Sequence, residues 1–346
     1  MAIPETRPSA DATARPVTLG RVLVVTASLA MVLLAAMVLG LAVGSSGADL
    51  QSLLNVLVLR KAEDPTLHTI VWQLRWPRVL LAVEVGGALS LGGLVFQALL
   101  RNPLAEPYIL GTSGGAAVGA ILGILLGLSP FPGVSLTAFA GSMGALVLVM
   151  MLASGKAVLR KDSLLLSGVM VNAFCSALIL FFVSTTQDAR LHNILFWLMG
   201  DLSRADPAQG LRLAAVVVPC AAAVFALARP MNLLLLGRDA AESLGVQVRR
   251  VSWGLLVVTS VMVSAAVCGS GLLGFVGLAV PHLLRLILGP DHRVLVPACL
   301  LGGGAYLVVC DALARWLPRQ GEMPAGVVTA MIGAPLFIAL LRRSAR

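Results

Sequence analysis

The residues able to do covalent or metal chemistry are few and scattered. Four histidines, His68, His192, His282 and His292, stand far apart with no metal-ligand spacing, so no zinc- or haem-type metal site is indicated. Five cysteines, Cys175, Cys220, Cys268, Cys299 and Cys310, lie in apolar runs without a C-x-x-C pair and read as small packing residues. A phosphate-cradling loop needs GxxxxGK[ST]; the one Gly-Lys pair, Gly155-Lys156, lacks both the upstream glycine and the following hydroxyl, so ATP has no binding loop here. No nucleophile stands with a base in a recognisable motif, and no catalytic residue is assigned. What remains is charge recognition. Arg75 and Arg78 bracket Trp76-Pro77 ahead of an apolar run, and Arg315 follows Asp311 by four residues. Arginines at such a boundary either snorkel as anchors or hold a carboxylate in their planar fork. The i,i+4 spacing makes Asp311 and Arg315 a local pair.

These residues must be positioned by a membrane bundle. The 346 residues are 58% hydrophobic and only 12% charged, with mean hydropathy +0.95, which excludes a water-soluble core. Ten apolar runs of spanning length, about 20–43, 78–100, 108–127, 134–154, 164–184, 209–228, 251–270, 273–289, 294–314 and 324–341, predict an all-α polytopic bundle. Residues 1–17 read as a disordered cytoplasmic tail, and 18–346 as the transmembrane domain. The first run is too long for a cleaved signal peptide and is expected to be retained. With both termini cytoplasmic, 16 of the 25 Lys and Arg face inward, as the positive-inside rule requires. That placement absorbs the net charge of +9, so membrane lipid, not nucleic acid, is the expected partner.

Within the spans, small residues recur. Gly111, Gly115, Gly119, Gly123 and Gly127 follow each other at intervals of four, forming a ridge on which another helix can approach at backbone distance. Gly86, Ser90, Gly93 and Gln97 repeat the pattern and add an amide, suited to an interhelical hydrogen bond or to a pathway wall. Pro281 must free a carbonyl inside the membrane, beside His282, and protein or water has to satisfy it. The internal segment 229–250 is too charged to span; it reads as one or two surface helices broken at Gly237, with Gly245 as a C-cap.

Seven segments, RWPRVLLAVEVGGALSLGG (75–93), RNPLAEPYILGTSGGAA (101–117), LLLSGVMVNAFCSAL (164–178), MNLLLLGRDAAESLGV (231–246), GFVGLAVPHLLRL (274–286), GPDHRVLVPA (289–298) and PAGVVTAMIGAP (324–335), together resemble the FecCD or BtuC-like permeases. These import iron chelates, haem and vitamin B12 across the bacterial inner membrane. The resemblance implies a homodimer of ten-helix subunits, two cytoplasmic ABC ATPase subunits that use ATP and Mg, and a periplasmic substrate-binding protein. This chain itself would bind no cofactor. It also implies that 231–246 are coupling helices, with Leu234, Gly237, Arg238, Asp239, Glu242, Leu244 and Gly245 at the ATPase contact; Arg238 stands where the family usually has an acid. Arg75, Arg78 and Arg315 match positions that receive glutamates of the binding protein. Asn102 and Leu104 match the cytoplasmic gate, opposed by Lys161, Asp162 and Ser163, a charged pair where relatives often carry small hydroxyls. Gln97, Gly111, Gly115, Gly119 and Pro281 remain as pathway or packing residues.

The leading expectation is an ABC importer permease for a ferric siderophore, with haem or vitamin B12 as alternatives. An ion-coupled secondary transporter would need several midplane acids or histidines, and only Glu84 and Asp311 qualify.

Overall fold

The computed structural model describes residues 18–43, 65–153, 161–187, 189–318 and 321–344; the expected tail 1–17 lies outside them. Thirteen α-helices of six residues or more run through the described residues: α1 Leu19–Ala42, α2 Trp76–Leu100, α3 Thr112–Leu125, α4 Ser135–Ala153, α5 Lys161–Thr185, α6 Ala189–Leu198, α7 Pro207–Ala226, α8 Ala228–Leu235, α9 Arg238–Ser243, α10 Val248–Ser270, α11 Val276–Leu288, α12 His292–Trp316 and α13 Ala325–Ser344. Seven are long and apolar enough to cross a bilayer, and α3, α11 and α13 are shorter apolar helices. Each of the ten anticipated spans therefore has its helix. The segment after α5 holds α6, whose ten residues are too few to cross a bilayer and so leave no span-length signal.

Helix α2 is the axis. Its apolar window is 83% buried, against 11% for α1 at the periphery. Burial on all faces is possible because glycine lets backbones touch: a β-carbon at Gly86 would strike the Gly303 carbonyl of α12, and one at Gly93 the Gly277 carbonyl of α11. The predicted glycine ridge does the same between α3 and α4, where Gly115 meets the Gly141 carbonyl and Gly119 that of Thr137. Gly111 and Gly127 serve differently, as positive-φ residues (φ 74° and 71°) flanking α3. Large apolar side chains on α1, α5 and α13, such as Met31, Phe174 and Met331, point outward, as lipid or a second subunit requires.

Helices α3 and α11 depart from the expected spans. At 14 and 13 residues they are roughly 20 Å long, too short for a bilayer core of about 30 Å. Both start inside the bundle: Pro107 packs on Gly92 and Gly277, at the level of the Gly92-Gly93 step of α2, roughly 10 Å short of that helix's C-terminal end. The non-helical approaches are stapled together, Tyr108 Oη donating to the Leu273 carbonyl at 3.1 Å and the Phe275 N–H to Glu106 Oε1 at 3.1 Å. Irregular backbone at this depth is tolerable because protein encloses it.

Candidate functional site

At one end of the bundle, four charged side chains from three segments converge. Arg78 sits in the first turn of α2, Asp311 and Arg315 in the last turns of α12, and Glu322 in the loop after Gly321. Arg78 Nε lies 2.8 and 3.1 Å from the two Asp311 oxygens, and its Nη1 reaches Glu322. Arg315 Nε meets the same Asp311 at 3.2 Å, so the expected i,i+4 pair exists and is widened into a bridge between α2 and α12. Arg315 also donates to the carbonyls of Val43 and Gly40 at 2.7 Å each, and Arg75 donates to those of Leu41 at 2.7 Å and Ala42 at 3.2 Å. Those carbonyls are the orphans at the C-terminus of α1, which carries no basic residue in its own last turn; two distant arginines cap it and answer its dipole.

The three arginines expected to face a binding protein are thus brought together, but within one chain they turn inward, with only 6, 6 and 9% of their surface exposed for Arg75, Arg78 and Arg315. Glu322 is the half-exposed member, its side chain 50% accessible. Sequence reading passed over it. The available signal was an acid in the short loop before the last span, at the same end of the bundle as Arg78.

At the opposite end, α8 and α9 form the two short helices expected in 231–246, broken at Gly237 (φ 118°). The predicted cap at Gly245 is a Schellman turn: with φ 84°, its N–H bonds the Glu242 carbonyl at 3.0 Å and the Val246 N–H that of Ala241 at 3.0 Å. Leu234, expected at the ATPase contact, is buried at 5%, because it lies on the face of α8 that packs on the core beside Met231. The exposed apolar residues are instead Leu235, Leu236 and Leu244. Arg238 and Glu242 pair with each other at 2.9 Å across one turn, leaving Asp239 exposed in the first turn of α9.

Asn232 ties this segment to α12. Its Nδ2 donates to Asp291 Oδ1 at 3.1 Å, and its Oδ1 accepts the His292 N–H at 2.9 Å. Asp291 also caps α12 through the Arg293 N–H at 2.8 Å and pairs with the Arg293 side chain at 2.7 Å. Burial alone would raise its pKa, but Arg293, that N–H and Asn232 outweigh burial and hold it at about 2.

The segment matched to the gate leaves α2 through Arg101, whose φ of 46° is left-handed, into an Asx turn in which the Leu104 N–H bonds Asn102 Oδ1 at 2.9 Å. Asn102 is half-buried and Leu104 exposed. Opposite, Ser163 is half-buried near the start of α5; the side chains of Lys161 and Asp162 lie outside the described residues. Gln97 is buried, with Nε2 at 3.5 Å, the long end for a hydrogen bond, from the carbonyls of Gly277 and Leu278. Gly277 is the residue whose carbonyl Pro281 leaves without an intrahelical donor, so the amide of one motif completes the proline of another. His282 is buried edge-on to Phe337, and among the described residues no three His, Cys, Asp or Glu side chains gather to hold a metal.

The whole arrangement has relatives. The chain is 43% identical over 277 residues to the cobalamin import system permease protein BtuC of Halobacterium salinarum, covering 80% of this chain and 74% of that one. It is 41% identical over 278 residues to the vitamin B12 import system permease protein BtuC of Salmonella typhimurium, covering 80% and 84%. A solved structure described as an inward-facing conformation of a metal-chelate type ABC transporter superposes with a TM-score of 0.82 at 31% identity, covering 92% of this chain and 98% of that one. The FecCD transport family matches residues 24–343. The family match over nearly the whole length and the relatives above decide the class of this bundle: the chain belongs to the FecCD family of ABC importer permeases and is a transport subunit.

Proposed function

We propose that the chain, as a homodimer in the bacterial inner membrane with both termini cytoplasmic, passes a corrinoid such as vitamin B12 from a periplasmic binding protein to the cytoplasm. The observation carrying this reading is the 41–43% identity, over four fifths of the chain, to permeases named for cobalamin and vitamin B12; it displaces the ferric siderophore as first choice. Two separate ATPase subunits hold ATP and Mg, and this chain binds no cofactor. Uptake of labelled cobalamin, ferric siderophore and haem by a deletion strain carrying this gene tests the cargo. Cobalamin uptake alone is expected; siderophore or haem uptake without cobalamin would overturn it.

Burial and exposure support a role for each set of residues. Leu244, Asp239 and the Arg238–Glu242 pair meet the ATPase, with Gly237 and Gly245 shaping the segment and buried Leu234 holding it to the bundle. Motion there passes through Asn232 to Asp291 and along α12, a rod of 25 residues about 37 Å long, whose far end carries Asp311 and Arg315. From there Arg78 starts α2, which returns to Asn102 and Leu104 at the gate, facing Lys161, Asp162 and Ser163. The binding protein's carboxylates approach the Arg78–Glu322 edge, and Arg75 and Arg315 support that edge by fixing the end of α1. Gln97, Gly111, Gly115, Gly119 and Pro281 keep the half-helices packed around the pathway.

A further inference from the structure

At the coupling end, a cavity of about 100 Å³ opens between the last turn of α2, the start of α5, the α8–α9 elbow and the first turns of α10. Three guanidinium-bearing residues line it: Arg101, Arg238 and Arg249, all exposed. Its other walls are almost entirely apolar, with Leu100, Leu164 and Leu256 among them. Among the described residues no carboxylate lines it; Glu242 engages Arg238 from outside. Arg101, whose backbone is left-handed, reaches the α8–α9 elbow: a β-carbon at Gly237 would lie 3.7 Å from its Nη1.

Several cations above an apolar floor, at the end of a membrane bundle, match one chemistry: a phosphate attached to hydrocarbon. We infer that this cavity is a binding site for the headgroup of an anionic phospholipid, phosphatidylglycerol or cardiolipin, from the leaflet on the coupling side. Its phosphate sits against Arg101 and Arg249, beside the Arg238–Glu242 pair, and an acyl chain leaves along the apolar wall. The lipid would then bridge the end of α2, from which the gate segment departs, to the elbow of the coupling helices. This inference rests on the proposed orientation only for naming the leaflet; the charge and the cavity belong to the chain whichever way it faces.

The test is lipid retention by the purified full-length chain, read by native mass spectrometry after exposure to an equimolar mixture of phosphatidylglycerol, cardiolipin and phosphatidylcholine. Preferential retention of the anionic lipids is expected. At about 1 kcal/mol per arginine, Arg101→Gln or Arg249→Gln should each lower it roughly fivefold. Arg101→Lys, which keeps the charge, should restore most of it. Arg250→Gln is the control: Arg250 is exposed on the same end, bonded to Gln247 at 2.6 Å, and does not line the cavity. Equal retention of phosphatidylcholine, or an equal loss from Arg250→Gln, would overturn the site as general surface charge. Displacement of the lipid by millimolar inorganic phosphate would reduce it to a phosphate site, and expulsion by added ATPase subunit would reassign it to that protein. Cobalamin uptake is measured independently, so failure of the lipid site leaves the transport reading untouched, and the reverse also holds.

Discussion

The two ends of the bundle carry similar charges in opposite ways. At the end proposed to face outward, Arg78, Asp311 and Arg315 are buried and pair with one another, while Arg75 and Arg315 hold backbone carbonyls of α1. At the end proposed to couple to the ATPase, Arg101, Arg238, Arg249 and Asp239 are exposed. Burial converts a charge into structure, since ions out of water must be paired and hydrogen-bonded to persist. Exposure leaves a charge free for partners and worth little to the fold. The outer end should therefore fail by unfolding and the coupling end by losing function, and each prediction below is a way to break that contrast.

The largest effect is expected at Asp311. Asp311→Ala leaves Arg78 and Arg315 without their shared buried carboxylate, and removing one partner of a buried ionic group costs about 3–5 kcal/mol. The measurement is the melting transition of the detergent-solubilised chain and its level in the membrane. A melt within a degree of the parent would mean that Glu322 and the carbonyls suffice.

Next comes Asp291, the partly buried carboxylate of the coupling end. Its folded pKa of about 2 lies below the ordinary value near 3.9, so its stabilisation is complete above about pH 4 and fades as pH falls towards 2. The effect is at most about 2.6 kcal/mol, and less for a carboxylate partly open to water. Asp291→Asn should reduce stability at pH 6 and flatten the loss between pH 4 and pH 2; an unchanged acid profile would remove Asp291 from the link between α8 and α12.

How much of this was legible in the sequence depends on the range of the interaction. The ten spans were, because hydropathy sums over twenty neighbours, and so was the α3 ridge, because a spacing of four is local. The Asp311–Arg315 pair was also local. The half-length of α3 and α11 was hidden: the approach residues Pro107–Leu110 and Gly271–Phe275 are as apolar as a helix, and only contact with Gly92, Gly93 and Gly277 shows that they are not spanning. That Arg75 and Arg315 cap α1 could not be read from residues 34 and 272 positions away from Leu41 and Val43, respectively. Leu234 was misread because four consecutive leucines carry no phase; the core contact of α8 decides which one is buried.

A smaller effect is expected at Glu322, where the two ends come closest to resembling each other. Glu322→Gln removes a half-exposed partner of Arg78 and should cost about 0–1 kcal/mol, less in high salt. If a binding protein's carboxylate approaches the same arginine, the variant should bind that protein more tightly, because an in-chain competitor is gone. Binding measured by surface plasmon resonance at two ionic strengths checks this; weaker or unchanged docking would return Arg78 to a purely structural role.

The smallest effect on stability, and the sharpest test of the contrast, is expected at Leu244. Its side chain is 59% exposed just past α9, so Leu244→Asp removes little buried area and should move stability by less than about 0.5 kcal/mol. Gly245 is left alone, since any side chain there would strain a φ of 84° and confuse a loss of docking with a loss of the Schellman turn. In the proposed assembly, however, a charge at this apolar position must be desolvated against the ATPase without a partner, a cost of several kcal/mol. The chain should reach the membrane at its normal level, melt normally and fail to co-purify its ATPase. Intact assembly would take Leu244 out of the interface and shift the contact to Leu235 and Leu236. A collapsed melt would show that the exposed end also holds the fold together, and the division between the two ends would then fall.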